Sequence, residues 1–389
     1  MRIGRVKINI LLVSPYFYPE VGGAENYVYN ISKRLVEMGH KVTVLCSHER
    51  GQDEIIDGIQ VIRLKISFKI SRTPISVGLL NSMQKLIKKN NFDIININLS
   101  VPFFPEIAVL IGKINKIPCV LTYHNDIIRD DSVMKLITTV YNSTLNKVLL
   151  NSVDLIITPS PFCYNESEFL KPFKDKLIWI PPGVDIEKYS NSSLNIRNNH
   201  NIPENSDIIL FVGVISKSHS HKGVDYLINA FKEVLEETQD VYLVLVGEGN
   251  LVPEYKKMAQ NLGISNNVIF AGFVSEDELI GYYNSSNMVV LPSTTVQEGF
   301  GMVLIEGNAC RKPVIGSEIG GIQYVIENGK TGLLVPPKNS HALAKSIIEI
   351  LNNKNLSKKM GNAGRKLVED KYTWNKAAKM TEEAFKELI

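Results

Sequence analysis

The sequence has no uninterrupted apolar run near the roughly 20 residues that a membrane-spanning helix requires. It also has few cysteines: Cys46, Cys119, Cys163 and Cys310 lie far apart and show no paired spacing. Without such an apolar run we predict no transmembrane helix, so we expect any membrane contact to be peripheral. The unpaired cysteine spacing excludes a disulfide framework and predicts buried thiols in a reducing cytosol. Because residues 1–3 lead directly into a strand-like segment, we expect no cleavable signal peptide.

A large excess of one charge sign is also missing. The formal net charge is only +3, and 44% apolar with 21% charged residues is typical of a soluble globular protein, not a disordered one. Residues 1–183 hold 22 Lys and Arg against 16 Asp and Glu, a balance of +6, whereas residues 184–389 hold 21 against 24, a balance of −3. We expect no nucleic-acid partner. Some basic residues of the first half suit either an anionic membrane surface or a solvated helix face: Lys65, Lys69, Arg72, Lys85, Lys88 and Lys89.

Short apolar runs alternate with helical patterns twice along the chain. This alternation predicts two α/β domains, each a Rossmann-like, doubly wound parallel sheet with helices on both faces. The strands predicted for the first domain are 8–13, 42–46, 94–97, 119–122, 155–157 and 177–180. Those predicted for the second domain are 208–212, 242–246, 268–270, 288–291, 314–315 and 333–335.

A hinge is predicted near residue 182. Pro181, Pro182 and Gly183 follow the last strand of the first set, and an Asn- and Ser-rich stretch, 191–201, comes next. We therefore place the first domain at residues 1–182 and the second at 183–373. An amphipathic helix at about 374–389 is expected to pack back on the first domain. Because ligands of such sheets bind beyond the carboxyl ends of the strands, we expect the site in a cleft between the two domains.

The most informative stretch is residues 297–306, directly after a predicted strand. Gly299 and Gly301 permit a tight turn with little bulk over a ligand, and amide groups at the following helix start would face a diphosphate. Glu298, before the helix, and Glu306, about two turns into it, can accept hydrogen bonds from sugar hydroxyls. The alternative is that Glu298 caps the helix and Glu306 is solvated, although flanking apolar residues favour burial of Glu306.

Two further glycine pairs follow predicted strands. Gly22 and Gly23 begin a helix, where they can bring backbone N–H groups close to a phosphate or simply form a turn. Gly247 and Gly249 follow the strand at 242–246. Neither pair completes the three-glycine dinucleotide fingerprint, and the lysine-containing loop of phosphate-loop NTPases is absent as well.

Paired aspartates of the Asp-x-Asp type, which would suggest a metal-bound diphosphate, do not occur. The nearest approximations are Asp185-Ile186-Glu187, which suits the hinge, and Glu276-Asp277-Glu278, which suits a helix start. We therefore expect no metal and no other cofactor.

Several motifs, in their order and spacing, resemble those of the retaining glycosyltransferases of family 4, which have the two-domain GT-B fold. The resemblance covers nearly the whole chain. Its motifs are GGAE at 22–25, GHKVTVL at 39–45, LTYHND at 121–126, IPPGVD at 180–185, FVG at 211–213, KG at 222–223, VGEG at 246–249, PS at 292–293, residues 298–306, GG at 320–321 and GKTGLLV at 329–335. It implies a GT-B architecture of two Rossmann-like domains facing a central cleft, the first binding the acceptor and the second the nucleotide sugar.

The resemblance also implies roles for individual residues. The implied catalytic residues are His124, near the reacting sugar, Lys222, which neutralises the leaving diphosphate, and Glu298, which binds donor-sugar hydroxyls. Glu306 would bind the ribose hydroxyls, and Asp126 would bind or orient the acceptor. The other donor-binding residues that it implies are Gly22, Gly23, Lys217, Gly247, Phe273, Val274, Phe300, Gly301, Met302 and Val303. Without the resemblance, His124 would be interpreted as a hydrogen-bonded structural histidine and Lys222 as a solvated lysine.

One position departs from the family pattern. The family usually carries an arginine after the glycine that ends the first strand of the second domain, but here Val214 follows Gly213. Losing one preorganised electrostatic partner costs about 3 kcal/mol of transition-state stabilisation. We therefore expect Lys217 or His219, in the longer loop of this chain, to substitute for the arginine.

The resemblance implies transfer of a hexosyl group from a UDP- or GDP-sugar to an acceptor hydroxyl, with retention at the anomeric carbon. A glycoside hydrolase would instead need two carboxylates as acid and base around the scissile bond. Two alternatives stay open: a sugar-nucleotide-binding protein with impaired catalysis, suggested by Val214, and a sugar-nucleotide epimerase of the same fold. The expected acceptor is a glycan or lipid-linked glycan of the cell envelope. The expected location is the cytoplasm, with peripheral contact with the inner face of the membrane.

Overall fold

The computed structural model describes residues 7–20, 22–70, 73–128, 132–190 and 194–389. The chain forms two compact units. The first unit comprises Met1–Pro182 and Trp374–Ile389, and the second unit comprises Gly183–Thr373. Of the features discussed above, residues 1–3, Arg72 and the first part of the 191–201 stretch lie outside the described residues.

The secondary structure alternates between strands and helices in both units. The strands are β1 (Asn9–Val13), β2 (Lys41–His48), β3 (Glu54–Ile56), β4 (Ile59–Lys65), β5 (Phe68–Ile70), β6 (Thr73–Ile75), β7 (Ile94–Leu99), β8 (Cys119–Tyr123), β9 (Leu155–Thr158), β10 (Leu177–Trp179), β11 (Asp207–Val212), β12 (Val241–Val246), β13 (Val268–Gly272), β14 (Met288–Leu291), β15 (Val314–Ser317) and β16 (Gly332–Val335).

The α-helices are α1 (Gly23–Glu37), α2 (Leu79–Lys89), α3 (Phe104–Ile114), α4 (Ser132–Tyr141), α5 (Lys147–Ser152), α6 (Pro161–Glu166), α7 (Ile186–Ser190), α8 (Ile196–His200), α9 (Val224–Glu237), α10 (Val252–Asn261), α11 (Glu276–Ser285), α12 (Met302–Ala309), α13 (Ile322–Val325), α14 (Ser340–Asn352), α15 (Lys354–Lys371) and α16 (Trp374–Lys386). A π-helical turn, Asn142–Asn146, joins α4 to α5.

The main sheet of the first unit has, within the described residues, the strand order β10-β9-β8-β7-β1-β2-β4-β3. Its strands pair in parallel except β3, which runs antiparallel to β4. The central strands consist almost entirely of buried residues, as expected for a sheet covered by helices on both faces. On one face, α2, α3 and α5 bury Met83, Phe104 and Leu149 in a common hydrophobic core with Leu11 and Ile97.

The main sheet of the second unit has the order β13-β12-β11-β14-β15-β16, with all of these strands parallel. The second sheet has the order 3-2-1-4-5-6 of a doubly wound fold. The first sheet has the same order in its strands β4, β2, β1, β7, β8 and β9, with antiparallel β3 added at one edge and parallel β10 at the other. The direction of winding changes between β1 and β7 in the first unit and between β11 and β14 in the second. The predicted fold class of two Rossmann-like α/β domains is thus confirmed, and each predicted strand corresponds to an observed one.

The sequence analysis missed β3, β4, β5 and β6, which bears on the basic residues of this region. Lys65 ends β4 and Lys69 lies in the middle of β5. The interpretation as a solvated helix face is therefore wrong for these two lysines. Three others, Lys85, Lys88 and Lys89, are exposed on α2, which is compatible with both a solvated helix face and a membrane surface.

The C-terminal helix α16 packs on the first unit, as expected. The rings of Trp374 and Tyr27 meet edge to face at 5.9 Å between centroids. Glu382 of α16 lies 3.0 Å from Nε2 of His40, which precedes β2, and both side chains are buried. The C-terminal residues therefore complete the core next to α1.

The four cysteines are buried free thiols, as predicted. No helix in the described residues is both long and apolar enough to cross a bilayer.

Candidate functional site

Lys222 and Glu298 form a largely buried ion pair in the second unit. Lys222 follows β11 and Glu298 follows β14, so these neighbouring strands deliver both side chains to the edge where the winding direction changes. The Nζ of Lys222 lies 2.8 Å from Oε2 of Glu298, and the side chains are only 17% and 14% exposed. The alternative interpretation of Lys222 as a solvated lysine is therefore wrong.

The electrostatics of this pair keep Glu298 ionised. Burial alone would raise the pKa of Glu298, but the charges of Lys222 and His221, and a hydrogen bond from the Gly301 backbone, lower it below its ordinary value. Glu298 is thus a carboxylate that can accept hydrogen bonds near neutral pH.

Close backbone approaches fix the loop that carries Lys222. Gly223 has a φ of +71°, and a Cβ atom there would lie 2.1 Å from the Pro292 carbonyl oxygen. The backbone N–H of Thr294 donates to the His221 carbonyl oxygen at 2.7 Å. These contacts tie the loop after β11 to the segment after β14 and explain the need for glycine after Lys222.

The loop that carries Glu298 is held by the glycine pair at 320–321. The backbone N–H of Gly321 donates to the Glu298 carbonyl oxygen at 2.9 Å. A Cβ atom on Gly321 would lie 1.9 Å from the Gly299 carbonyl oxygen, and one on Gly320 would lie 2.7 Å from the Glu298 carbonyl oxygen. No larger residue fits at Gly321 unless the Glu298 loop moves.

Helix α12 begins directly after this loop. Gly301 precedes it with a φ of +85° and no side-chain cap. The Glu298 carboxylate accepts a hydrogen bond from the Gly301 backbone, so Glu298 also contacts the helix start. By helix geometry, the N–H groups of Met302 and Val303 lack a partner within the helix and can face an anion. The Phe300 ring is buried and meets the Tyr372 ring edge to face at 5.5 Å, so only its backbone can serve a ligand.

Glu306 is largely enclosed within the second unit. The Tyr283 hydroxyl donates to its Oε2 at 2.5 Å, and the Tyr189 hydroxyl also hydrogen-bonds the carboxyl group. Burial raises the pKa of Glu306 to about 7, which these hydrogen bonds only partly offset. The interpretation of Glu306 as a solvated glutamate is therefore wrong. The sequence analysis missed both tyrosines, because nothing in their local patterns links them to Glu306.

Glycines allow close backbone contacts between the carboxyl ends of β11, β12 and β13. The backbone N–H of Gly247 donates to the Gly272 carbonyl oxygen at 2.8 Å. Gly247 has a φ of +133°, and a Cβ atom there would lie 2.0 Å from the Gly213 carbonyl oxygen. Directly after Gly272, the Phe273 side chain is 68% exposed and Val274 is partly buried. An exposed aromatic ring at this edge offers a surface on which a nucleobase can stack.

The loop expected to replace the family arginine is a short 3₁₀ helix, Lys217–Lys222. The Lys217 backbone N–H donates to Asn250 Oδ1 at 2.9 Å, while its side chain is exposed. Nδ1 of His219 lies 2.9 Å from the Ser216 hydroxyl. His221 is a candidate that the sequence analysis missed: it interacts electrostatically with Glu298, although burial lowers its pKa. The substitution by Lys217 or His219 stays a prediction.

At the start of α1 a carboxylate of the chain occupies the predicted phosphate position. α1 begins at Gly23, and Gly22 before it is extended without a side-chain cap. A Cβ atom on Gly22 would lie 2.1 Å from Oε2 of Glu25, which shows that this carboxylate folds back over the helix N-terminus. Burial raises the pKa of Glu25, and the carboxylate accepts a hydrogen bond from its own backbone N–H.

His124 follows β8 in the first unit and is hydrogen-bonded to Asn98, which is in turn hydrogen-bonded to Asn96. Asn98 donates its amide to Asn96 Oδ1 at 3.4 Å, so its own Oδ1 faces Nε2 of His124 at 3.2 Å. This arrangement assigns the proton of His124 to Nε2 and leaves Nδ1 as an acceptor. Burial lowers the pKa of His124 to about 4, so the imidazole is neutral at pH 7. Tyr27 packs against it edge to face at 5.5 Å.

Asp126 lies two residues further along and has firm local partners. Its Oδ1 accepts hydrogen bonds from the Tyr123 hydroxyl at 2.9 Å and from the Ser167 hydroxyl at 2.7 Å. Burial raises its pKa. The structure thus brings together two sets of predicted residues. In the second unit they are Lys222, Glu298 and the start of α12. In the first unit they are His124 and Asp126, which follow β8.

Potential metal ligands are not clustered in the part of the chain that the structure describes. No three or more His, Cys, Asp or Glu side chains come together there in an arrangement that could hold a metal ion.

Known proteins resemble the chain along nearly its whole length. The profile described as "Glycosyltransferase Family 4" matches residues 21–188, and "Glycosyl transferases group 1" matches residues 192–367. O-antigen chain mannosyltransferase C of Escherichia coli is 30% identical over 372 residues, covering 94% of this chain and 95% of that protein.

Two further similarities concern nucleotide sugars. The GDP-mannose-dependent alpha-(1-6)-phosphatidylinositol monomannoside mannosyltransferase of Mycobacterium tuberculosis is 25% identical over 387 residues, covering 95% of this chain and 96% of that one. The crystal structure of HepE from Anabaena in complex with UDP and glucose covers 98% of this chain and 100% of its own, with a TM-score of 0.76 and 20% identity. Full-length relatives and both profiles agree, so the chain belongs to glycosyltransferase family 4 and has the GT-B fold.

Proposed function

We propose that this glycosyltransferase moves a hexosyl group, with retention at the anomeric carbon, from a UDP- or GDP-sugar to an acceptor hydroxyl. The observation that carries the proposal is the buried ion pair of Lys222 and Glu298 beside the first turn of α12. A cation, a helix N-terminus and an ionised carboxylate lie together there. A sugar joined to a diphosphate needs these groups, because phosphates bind cations and amides while sugar hydroxyls donate to carboxylates.

The same charges fix the orientation of the donor. The diphosphate binds Lys222 and the N–H groups of Met302 and Val303, away from the Glu298 carboxylate, which repels phosphate. The sugar hydroxyls then donate to Glu298. Lys222 and Glu298 therefore exchange their mutual ion pair for two donor contacts, so neither charge is left buried and unpaired.

The proposed chemistry needs no covalent nucleophile on the protein. The bond between the anomeric carbon and the diphosphate oxygen breaks, and the acceptor oxygen attacks from the same face. The leaving phosphate oxygen takes the acceptor proton as the new bond forms. Lys222 and the α12 amides stabilise the negative charge that grows on the diphosphate. No step requires a metal.

Further residues complete the proposed donor site. Glu306 accepts the ribose hydroxyls, and the exposed ring of Phe273, with Val274 beside it, borders the base. Gly247 supports this edge through its close backbone approach to Gly213. Phe300 and Gly301 offer backbone amides beside the sugar, and Lys217 compensates for the missing arginine.

The first unit contributes the remaining proposed groups. Gly22 and Gly23 bind the donor diphosphate through the start of α1. The neutral His124 accepts a sugar hydroxyl at Nδ1, since its Nε2 proton is engaged by Asn98. Asp126 orients the acceptor.

The names of the relatives favour a cell-envelope acceptor. One relative is an O-antigen chain mannosyltransferase and another is a GDP-mannose-dependent enzyme acting on phosphatidylinositol monomannoside, while the HepE structure contains UDP and glucose. We propose a glycan or lipid-linked acceptor, a cytoplasmic location and peripheral contact with an anionic membrane. Both UDP- and GDP-sugars are candidate donors.

A second candidate function is sugar-nucleotide binding with impaired catalysis. Val214 is 47% exposed at the position where the family carries its arginine, so one cation is missing at that position. Such a protein would bind donor without releasing nucleotide.

The proposal is tested by screening UDP- and GDP-sugars for thermal stabilisation of the wild type, of Glu306→Ala and of a control, Glu236→Ala, on the exposed side of α9. The correct donor is expected to stabilise the wild type and the control. In Glu306→Ala its Kd should rise at least about tenfold, because a hydrogen bond to a charged group is lost. Turnover with glycan acceptors follows, and NMR of the product is expected to show the anomeric configuration of the donor.

Four outcomes would oppose the proposal. An inverted product would overturn retention. Donor binding without turnover on any acceptor would favour the second candidate function, and consumption of the donor without acceptor would favour the epimerase alternative. Absence of any nucleotide-sugar response would overturn the assigned donor site.

A further inference from the structure

An apolar surface runs along the helical segment formed by α4, the π-helical turn and α5. Five apolar side chains of this segment are each more than half exposed, and we call them the apolar stripe: Leu136, Ile137, Val140, Leu145 and Val148. Between its first and last members the segment rises by roughly 18 Å, at about 1.5 Å per residue. A stripe of this length exceeds the scattered exposed leucines of an ordinary surface.

The opposite side of the same segment is unusually polar for a buried face. The Asn142 side chain donates to the Ile127 carbonyl oxygen at 2.9 Å, and Asn146 donates to Asn142 at 3.1 Å. The Tyr141 hydroxyl donates to Glu106 at 2.6 Å, and Thr138 is buried as well. A helix on a water-facing surface normally turns its polar side chains outward. Leu149 and Leu150 of this segment also join the core, but Thr138, Asn142 and Asn146 are buried while the apolar stripe faces outward. This arrangement suits an outer side that meets an apolar phase.

The neighbouring helices extend this surface. α3 packs beside α2 and α5, and all three contribute to one core over the same face of the sheet. On α3, Leu110 and Ile114 are also more than half exposed.

The charge of this helical layer has one sign. Segments 79–89, 104–114 and 132–152 contain one acidic residue, Glu106, and six lysines: Lys85, Lys88, Lys89, Lys113, Lys135 and Lys147. Lys113 is paired with Asp154 at 2.6 Å. Both carboxyl oxygens of Glu106 are engaged, one by Tyr141 and one by the Phe103 backbone N–H at 2.6 Å. The remaining lysines therefore give the layer a positive outer surface.

We infer that this layer docks on an anionic lipid bilayer, with the apolar stripe in the headgroup and acyl boundary and the lysines at the lipid phosphates. A second copy of the chain fits less well, because a two-fold contact would place the lysines of this layer against one another. Its one acidic residue, Glu106, is already engaged through both carboxyl oxygens. α4 begins at Ser132, six residues after Asp126, so docking would also hold the acceptor loop near lipid. The docking deepens the proposed function by naming the surface for its peripheral membrane contact, and this last step rests on that function as well.

The inference is tested by co-sedimentation of the full chain with phosphatidylcholine vesicles, with and without phosphatidylglycerol. The wild type is expected to bind only the vesicles that contain phosphatidylglycerol, and salt should weaken binding. Leu136→Gln/Val140→Gln/Val148→Gln should weaken it by about tenfold or more, because three apolar anchors are lost. Lys135→Gln/Lys147→Gln should weaken it several-fold, by roughly one lipid-phosphate attraction per lysine.

The matched control is Ile55→Gln/Phe68→Gln/Ile70→Gln, which replaces three equally exposed apolar residues on β3 and β5 of the same unit. It should bind like the wild type. Equal binding by the stripe variant, or loss of binding in the control alone, would overturn the inference. So would a wild-type dimer that the stripe variant converts to a monomer without vesicle binding. The donor-induced thermal shift is measured on each variant, so that failure of docking is separated from failure of the donor site.

Discussion

Two glutamates eight residues apart acquire opposite properties from their surroundings. Lys222, His221 and the Gly301 backbone lower the pKa of Glu298, whereas burial raises that of Glu306 to about 7. Glu298 is therefore ready to accept sugar hydroxyls at any pH near neutrality. Glu306 is only partly ionised at pH 7 and changes its protonation state within the physiological range.

Donor affinity should consequently depend on pH through Glu306. In the proposed site, ribose hydroxyls donate to the ionised carboxylate, so donor binding must release the proton that Glu306 holds below pH 7. The free site has the raised pKa, and affinity therefore increases as pH rises through it, by about tenfold between pH 6 and 8. Isothermal titration calorimetry in buffers of different ionisation enthalpy measures both the Kd and the released proton.

Glu306→Gln serves as the control for this pH dependence. It should bind donor more weakly, with a Kd that is nearly constant between pH 6 and 8 and without proton release. An unchanged pH slope in this variant would assign the titration to another group and remove Glu306 from the proposed role.

The sequence could identify these two glutamates but not their pKa values. The motif and the apolar residues around it were enough to predict an enclosed Glu306. Its hydroxyl partners come from other helices, Tyr189 from α7 and Tyr283 from α11. Likewise, the proton position on His124 depends on Asn98, which reaches it from the neighbouring strand β7. Such contacts follow from strand order and helix packing, which local patterns do not determine.

At the scale of elements, the starts of α12 and α1 each follow a glycine-containing loop, and both are proposed anion-binding positions. The start of α12 has Lys222 and Glu298 beside it, while the start of α1 has the Glu25 carboxylate folded over Gly22. A carboxylate at a helix N-terminus stabilises the helix but occupies the position that a phosphate would need. Gly22 and Gly23 predicted a phosphate-binding position at the start of α1 from the sequence. The competing Glu25 carboxylate was not predicted, because its place depends on the conformation of the Glu25 side chain.

Glu25→Gln should therefore affect stability and donor affinity in opposite directions. Losing a negative charge at the helix start destabilises the first unit by about 0.3–1 kcal/mol. If Gly22 and Gly23 bind the diphosphate, removal of the repulsive charge should lower the donor Kd roughly three- to tenfold. Glu37→Gln, at the other end of α1, is the matched control and should leave the Kd unchanged. A higher Kd for Glu25→Gln would show that this carboxylate assists the donor instead.

At the scale of the whole chain, six parallel strands of the first main sheet repeat the order of the second, and each main sheet presents its proposed functional residues at the carboxyl ends of its strands. The sequence predicted the parallel strands because they form continuous buried apolar runs. It missed β3 and β4, the last two strands at one end of the first sheet, and β5 and β6, which form a separate two-stranded sheet. β4 alternates buried and more exposed residues and contains Arg63, so it lacks such a run. Its burial comes from pairing with β2, a contact that no short window reveals.

The C-terminal helix belongs to the first unit, although it follows the second unit in the sequence. α16 follows the second unit in sequence, yet Trp374 is buried against Tyr27 of α1, and Phe385 is fully buried as well. The Tyr27 hydroxyl is also hydrogen-bonded to Thr381 of α16, and the Tyr27 ring packs against His124. The helix therefore supports both the core of the first unit and the setting of a proposed catalytic residue.

Trp374→Ala should accordingly destabilise the first unit selectively. Removing this buried aromatic side chain costs roughly 3–5 kcal/mol of its unfolding free energy. Hydrogen exchange followed by mass spectrometry is expected to show faster exchange in α1 and β2, with β11 to β15 unchanged. Met380→Ala, which truncates an exposed side chain on the same helix, is the matched control and should exchange like the wild type. Faster exchange in both units, or in neither, would contradict the assignment of α16 to the core of the first unit alone.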